Sequence, residues 1–223
     1  MNKAQNHEQC PEFLSHYTQF PVLIDILERK KIVFGNPAGW DDKTDYQILR
    51  EYAGEGKDIR ILCLTEFPKG ISDNILHWKI YAPGKSGCRI DFDREVFEKV
   101  IKRHGVILKQ IDYLSTEELE TQPKKWKGKP PFLKRSPYVY ENECRALWLG
   151  NLRKNCDFEL DIPQRTFSKL IKCVRLSPYL PKNLAINLRA FLKKHYKIKS
   201  VHSWICENPE WERLVKNSLT SKP

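Results

Sequence analysis

The first hydrophobic positions of the chain change from a strand pattern to a helix pattern at Pro21. Residues 14–18 are predicted to form a short strand, and the proline then suits the first turn of a helix, where its missing N–H would have no partner. The apolar residues that follow recur at the spacing of one helix face: Val22, Leu23, Ile26 and Leu27. A β-rich run at 32–34 comes next, so the chain is predicted to open as strand, helix and strand.

Strand and helix patterns alternate along the rest of the chain, without the regular repeat of parallel βαβ units. Strands are predicted at 60–65, 87–92, 106–114, 138–149, 157–162, 173–176 and 201–205. Helices are predicted after Asp73 as N-cap, after Asp93, over 165–171, and from Pro181 onward. The last of these has apolar positions at Leu184, Ile186, Leu188, Phe191 and Leu192. The pattern predicts an α+β domain of mixed, largely antiparallel sheets flanked by helices.

The length of the chain favours one domain, which we place at residues 13–206. Residues 1–12 are predicted to be a polar tail, and residues 207–223 a C-terminal helix or tail. Two loops are predicted inside the domain: a turn-rich stretch at 35–42, and 121–137, a basic loop with four prolines. We expect a cytoplasmic protein with no membrane partner, because neither a signal peptide nor an apolar run of spanning length is present.

Composition makes this a basic globular protein, since 39 Lys and Arg residues against 28 Asp and Glu residues give a net charge of +11. A hydrophobic content of 40% is too high for an intrinsically disordered chain. The seven cysteines form no CxxC pair, so reduced thiols are expected and no metal site is predicted. The motifs GxGxxG, GxxxxGKS, HExxH and GxSxG are missing, which removes support for Rossmann, P-loop, zincin and serine-hydrolase chemistry.

The first candidate for chemistry is His16 on the opening strand. Its neighbour Tyr17 must point to the opposite face of a strand, whereas Thr18 shares the face of the histidine. Such a histidine can line a cleft, or it can be a core residue whose ring is satisfied by backbone groups. Both interpretations remain open from the sequence.

A second candidate lies on the helix after Asp73, where Trp78 and Tyr81 are three positions apart and are predicted to share a face. Periodicity alone makes them core aromatics. On a pocket wall they could instead stack on a flat heterocycle such as a base or a nicotinamide.

The third candidate is the acidic pair Glu141 and Glu143, followed by Arg145. In the predicted strand these three side chains share one face, where two carboxylates would raise one pKa unless a cation intervenes. An internal acidic pair beside an arginine is a candidate catalytic site, and a structural salt bridge is the alternative.

The fourth candidate is the basic loop, in which cations and aromatic residues are interleaved: Lys124, Lys125, Trp126, Lys127, Lys129, Phe132, Lys134 and Arg135. This pattern suits single-stranded DNA or RNA, because lysines meet phosphates while bases stack on rings. A solvated surface loop is the alternative interpretation.

Taken in order, six short motifs resemble a bacterial family known as domain of unknown function 2971. They are His16-Tyr17-Thr18, Asn36-Pro37, Cys63-Leu64-Thr65-Glu66, Trp78 with Tyr81-Ala82, Gly87 to Phe92, and Tyr140 to Arg145. The matching stretch covers residues 14–205. The acidic loop of the family usually has an asparagine and a proline that residues 40–45 lack, so the resemblance puts no role on that loop.

The order of elements also resembles the ADP-ribosyltransferase plan, which implies NAD as a substrate and requires no metal. By that resemblance His16 would hold the adenosine ribose, Tyr81 or Trp78 the nicotinamide, Glu143 would be the catalytic carboxylate, and Glu141 would orient the acceptor. Arg145 would keep Glu143 ionised or bind the pyrophosphate. The residues expected at the cofactor are thus His16, Tyr17, Thr18, Trp78, Tyr81 and Arg145.

Two functions of different classes follow from these observations. The first is an NAD-dependent ADP-ribosyltransferase-like enzyme that would modify a polyanionic acceptor, DNA or RNA, in a toxin or phage-defence role with an antitoxin or defence protein as partner. The alternative is a non-catalytic basic module of the same fold that binds nucleic acid or a protein. The enzyme needs His16, Tyr81 and Glu143 in one cleft, and the module does not.

Overall fold

A computed structural model describes residues 13–67, 73–152 and 156–220, so the predicted tail at 1–12 lies outside the described residues. The strands are β1 (Phe13–Gln19), β2 (Lys31–Phe34), β3 (Asp58–Thr65), β4 (Gly87–Asp93), β5 (Ile107–Gln110), β6 (Asp112–Leu114), β7 (Leu133–Arg135), β8 (Glu143–Gly150), β9 (Phe158–Asp161), β10 (Ile171–Leu176) and β11 (Ser200–His202). The helices are α1 (Phe20–Arg29), α2 (Lys43–Ala53), α3 (Ile75–Ile80), α4 (Arg94–Lys102), α5 (Thr116–Thr121), α6 (Gln164–Leu170), α7 (Lys182–Tyr196) and α8 (Pro209–Thr220).

Seven strands form the main sheet, in the order β11, β10, β4, β1, β3, β8, β5. Its neighbouring strands run antiparallel except for β10 and β11, which are parallel. An antiparallel pair, β2 with β9, and a parallel pair, β6 with β7, form two small sheets. The predicted mixed, largely antiparallel α+β architecture is therefore confirmed.

The two faces of the main sheet differ in character because side chains alternate along each strand. Leu62 and Leu64 of β3 join the large apolar core on one face, together with residues of α1, α4, α6 and α7. Ile59 and Ile61 point the other way, into a smaller cluster beneath α2. A third small cluster on that second face packs beneath α3 around Trp78. Polar side chains separate the two small clusters.

Side chains alternate between the two faces of the sheet along β8, but this strand begins later than predicted. Cys144 and Ala146 lie in the large core, whereas Leu147 lies in the cluster beneath α2. The predicted strand at 138–149 begins only at 143, because residues 136–141 form a 3-10 helix and Asn142 is left-handed, with φ of 44°. The residues before β8 therefore turn instead of extending.

Other boundaries also differ from the sequence prediction. The predicted strand at 106–114 breaks at Ile111, so that β5 joins the main sheet and β6 pairs with β7. Asn74 caps α3 through its side chain, whereas Asp73 accepts hydrogen bonds from Tyr17, Trp78 and Ser203. The basic loop at 121–137 contains two 3-10 turns and β7. In α7, residues Leu184, Ile186 and Phe191 of the predicted apolar stripe are exposed.

Candidate active-site cleft

A cavity of about 490 Å³ opens where β1 and β3 separate. Within the described part of the chain, these strands pair at one position, Ser15 opposite Thr65, whereas β1 pairs with β4 along its whole length. Farther along β3, Ile61 exchanges two backbone hydrogen bonds with Gly35 instead. The two strands therefore diverge and leave a cleft between them on the polar face of the sheet.

The cleft brings together several of the residues singled out in the sequence. Its lining comprises Ser15, His16, Tyr17, Gly39, Trp40, Asp41, Asp42, Cys63, Leu64, Thr65, Ile80, Tyr81, Lys134, Tyr138, Tyr140, Glu141 and Glu143. A volume near 500 Å³ with aromatic walls and a few convergent polar groups is typical of a small-molecule site. His16, Tyr81 and Glu143 thus share one cavity, as the enzyme hypothesis requires.

Glu141 and Glu143 reach the cleft by a different route from the one expected. The extended geometry predicted for the pair is wrong, because Glu141 ends the 3-10 helix and Asn142 reverses the backbone before Glu143 opens β8. Lys134 joins the two carboxylates: its Nζ lies 2.5 Å from Glu141 Oε2 and 3.6 Å from Glu143 Oε2. A buried lysine therefore relieves the repulsion between them.

Glu143 is held as a carboxylate by Arg145. The guanidinium donates to both carboxylate oxygens, from Nε to Oε1 at 2.8 Å and from Nη2 to Oε2 at 3.0 Å. Burial alone would raise the pKa of Glu143, but Arg145 and Lys134 outweigh it and hold that pKa below its usual range. Glu143 is therefore ionised at neutral pH.

The pKa of Glu141 is shifted in the opposite direction from that of Glu143. Its carboxylate accepts hydrogen bonds from Tyr81 Oη at 2.6 Å and from Lys134. Burial nevertheless raises the pKa of Glu141 above its usual value, against the lowering effect of these two partners. Two carboxylates with pKa values moved in opposite directions can divide acid–base work between them.

His16 of β1 and Cys63 of β3 lie opposite each other where these two strands separate. His16 Nδ1 lies 3.0 Å from the Cys63 carbonyl oxygen, so Nδ1 carries the proton and Nε2 can accept. Withdrawal from water lowers the pKa of His16 despite that contact, and the ring is neutral. The Cys63 side chain is exposed to the cleft, where restricted hydration and the nearby Glu143 carboxylate raise the pKa of its thiol.

Three of the residues predicted at the cofactor have other surroundings. Trp78 is fully buried, and its ring N–H donates to Asp73 at 2.7 Å. Tyr81 is 40% exposed, so the two rings that were predicted to share a helix face differ in burial. The Tyr17 hydroxyl donates to Asp73 at 2.9 Å, although part of the residue lines the cleft. Thr18 is buried outside the cavity lining.

The basic loop does not form one surface. Trp126 and Phe132 are buried, so the expectation that both rings stand open to bases is wrong. Lys134 lies in the cleft, and Arg135 contacts Asp42 and Tyr138. The side chains of Lys124, Lys125 and Lys127 are exposed, while Lys129 is half-buried and lies 3.6 Å from Asp112. Only part of the predicted nucleic-acid surface is therefore available as one basic patch.

Sequence reasoning missed four side chains that shape the cleft. Trp40, Tyr138 and Tyr140 add aromatic walls, and Asp45 of α2 binds the far side of Arg145. The turn-rich composition of 35–42 identified the loop that carries Trp40. Asp45 had no such signal, because an isolated aspartate in a polar helix is ordinarily a surface residue.

Protein-family models, curated proteins and solved structures provide no match to this chain. In the ranges 13–67, 73–152 and 156–220, no group of three or more His, Cys, Asp or Glu side chains is arranged to hold a metal ion. No helix in those same ranges combines the length and hydrophobicity that crossing a bilayer requires.

Proposed function

We propose that this protein is an NAD-dependent ADP-ribosyltransferase, and that the cleft between β1 and β3 binds NAD. The observation that carries the proposal is the meeting of His16, Tyr81 and Glu143 in one cavity beside a second carboxylate, Glu141. The splayed β1–β3 pair supports an ADP-ribosyltransferase-like fold, because it leaves a cleft whose strand edges and side chains can grip a dinucleotide without a glycine-rich loop.

Glu143 would act on the sugar. When the bond between nicotinamide and C1′ breaks, its electron pair goes to the ring nitrogen and positive charge develops on C1′. An ionised carboxylate that accepts a hydrogen bond from the ribose 2′-hydroxyl stabilises this charge more in the transition state than in the ground state. The lowered pKa of Glu143 supports this role, because the group stays charged at neutral pH.

Glu141 would act on the acceptor. Its raised pKa makes it a stronger base than an ordinary glutamate, and in its ionised form it can take the proton that an acceptor O–H or N–H loses on attacking C1′. Lys134 and Tyr81, which both contact Glu141, would keep the carboxylate oriented. The two glutamates thus divide the chemistry between sugar and acceptor.

The exposure of each side chain determines which residues could contact NAD. Tyr81 offers a partly exposed ring for the nicotinamide, whereas the fully buried Trp78 does not. His16 Nε2 can accept a hydrogen bond from the adenosine ribose because Nδ1 already faces the Cys63 carbonyl. Arg145 is fully buried, so of its two expected roles only the stabilisation of ionised Glu143 fits.

A polyanionic acceptor, DNA or RNA, remains part of the proposal. The exposed cluster Lys124, Lys125 and Lys127 supports it, together with the net charge of +11. Because Trp126 and Phe132 are buried, these lysines would contact phosphates without base stacking on those two rings.

Incubation of the purified protein with NAD and a panel of RNA, DNA and protein acceptors tests the proposal. We expect release of nicotinamide and transfer of labelled ADP-ribose to one acceptor class. A protein that neither binds NAD in a calorimetric titration nor releases nicotinamide with any acceptor would contradict it. Binding of nucleic acid by such a protein would favour the non-catalytic module instead.

A further inference from the structure

Asp45 lies directly behind the proposed catalytic carboxylate, although it has no place in the cavity lining. It belongs to α2, where it is buried on the same helix face as Leu49 and Ala53. A carboxylate therefore occupies a position at which the helix pattern would place an apolar residue.

Arg145 connects Asp45 to Glu143. Its Nη1 and Nη2 donate to the two Asp45 oxygens at 3.0 and 2.7 Å, and its Nε and Nη2 donate to Glu143 at 2.8 and 3.0 Å. A further bond from Nη1 reaches the Pro131 carbonyl at 2.9 Å. These contacts engage all the N–H groups that a guanidinium possesses, so its plane is fixed in one orientation.

Charge balance alone does not explain Asp45. Arg145 and Lys134, whose Nζ also lies 3.8 Å from Asp45 Oδ2, already balance the charges of Glu141 and Glu143, so a third buried carboxylate adds a desolvation cost. Asp45 adds a second bidentate pair of hydrogen bonds, which prevents the Arg145 guanidinium from rotating relative to Glu143. Resting on the proposed function, we propose that Asp45 is a positioning residue, which through Arg145 fixes the carboxylate of Glu143 against the sugar.

Asp45→Asn is the informative variant, because it keeps the shape but replaces one acceptor oxygen with an NH2 group that faces Arg145. The guanidinium then loses an anchor and a compensating charge. The matched control is Asp91→Asn, since Asp91 is equally buried and accepts a bidentate pair of hydrogen bonds from Arg89, at 2.7 and 3.0 Å, on β4, which is not adjacent to the strand of Glu143.

The first measurement needs no NAD. The Cys63 thiol lies beside Glu143 and also senses the charge of Arg145, so its alkylation rate by iodoacetamide reports on this cluster. At one mildly alkaline pH, peptide mass spectrometry should show faster alkylation of Cys63 in Asp45→Asn than in wild type or Asp91→Asn, because the freed positive charge stabilises the thiolate. Equal rates in the two variants would overturn the inference, whether or not the protein consumes NAD.

The second measurement is steady-state NAD turnover. Asp45→Asn should lower kcat by an amount on the order of 10²-fold while KM stays unchanged, because misplacing a reacting group affects the chemical step and not NAD binding. If Asp45→Asn does not fold, Asp45→Glu displaces the carboxylate by one methylene and keeps its charge. Wild-type kcat in a folded Asp45→Glu protein would contradict the positioning role, and a wild type without turnover would contradict the proposed function alone.

Discussion

Trp78 and Tyr81 stand three positions apart at the end of one short helix, yet they meet different surroundings. Trp78 is fully buried with its N–H on Asp73, and Tyr81 faces the cleft with its hydroxyl on Glu141. A helix pattern places both rings on one side, and Tyr81, the C-cap of α3, keeps helical backbone geometry with its N–H bonded to the His77 carbonyl, so the two rings differ in burial and in partners and not in backbone path. The proposed nicotinamide contact therefore belongs to Tyr81.

This difference predicts separate effects for two substitutions. Trp78→Phe removes one of the hydrogen bonds that the Asp73 carboxylate accepts and should lower the free energy of unfolding by about 1–3 kcal/mol, with KM for NAD unchanged. Tyr81→Ala removes an exposed ring and should raise KM with little loss of stability. Urea denaturation and NAD kinetics on both variants check the prediction, and a raised KM in folded Trp78→Phe would contradict it.

Glu141 determines the expected pH dependence. Burial raises its pKa and its ionised form is the proposed base, so kcat/KM should fall as the pH falls through that raised value. Glu143 remains ionised over this range because its pKa is lowered. The acid limb should therefore lie above the ordinary glutamate pKa of about 4.3.

The matching variant is Glu141→Gln, which cannot titrate. Its turnover should be lower than that of wild type at neutral pH, and the acid limb assigned to Glu141 should disappear from the kcat/KM profile. An unchanged acid limb in Glu141→Gln would mean that another group titrates there.

At the scale of elements, the hydrophobic pattern predicted the parts of the chain that bury a continuous apolar stripe. The strands β1, β3 and β4 have such stripes and appear with boundaries within two residues of the prediction, and the helices α1 and α4 appear where helices were predicted. Helix α2 lacks such a stripe, since Asp45 replaces an apolar side chain on its buried face, and its helix signals lie at its ends, at the N-cap Asp42 and the C-cap Gly54. Periodicity cannot detect a helix that buries an ion pair.

The sequence also identified only some of the residues of the candidate site. The acidic pair and His16 could be selected because their residue types are unusual on half-buried strands. Lys134 could not be separated from the neighbouring lysines, because the sequence does not show that β7 turns this one side chain inward. Contacts between residues distant in sequence, such as Arg145 with Asp45, depend on the tertiary fold.

The exposed lysines before β7 lead to a prediction about how the protein binds a nucleic-acid acceptor. Replacing Lys124, Lys125 and Lys127 by serine should weaken binding of a single-stranded oligonucleotide alike for all sequences, and should reduce the salt slope by roughly 0.7 for each phosphate that the variant no longer neutralises. Fluorescence anisotropy over a salt series measures this slope. The control replaces Lys99, Lys102 and Lys216, which lie on other exposed helix surfaces. An equal slope in both triple variants would remove the acceptor role from this segment.

At the scale of the whole molecule, one face of the main sheet carries the large apolar core and the other carries the candidate cleft. The large core and four helices lie on the first face. On the second face, ion-paired clusters built on Arg145 of β8 and on Arg89 of β4 lie beside the small apolar clusters. Because these charged groups interrupt the apolar surface of this face, the large core lies on the other face, and the cleft opens between α3 and the segment leading to α2.

The most direct test of the central claim is nicotinamide release by the Glu143→Gln variant, which keeps the shape of the side chain and loses its charge. The matched control is Glu66→Gln, because Glu66 is a buried glutamate paired with Arg94 outside the cavity lining. We expect Glu143→Gln to fold, as judged by circular dichroism, and to release nicotinamide slower by on the order of 10²-fold or more, whereas Glu66→Gln should stay near the wild-type rate. Wild-type release by a folded Glu143→Gln protein would contradict the proposed role of Glu143.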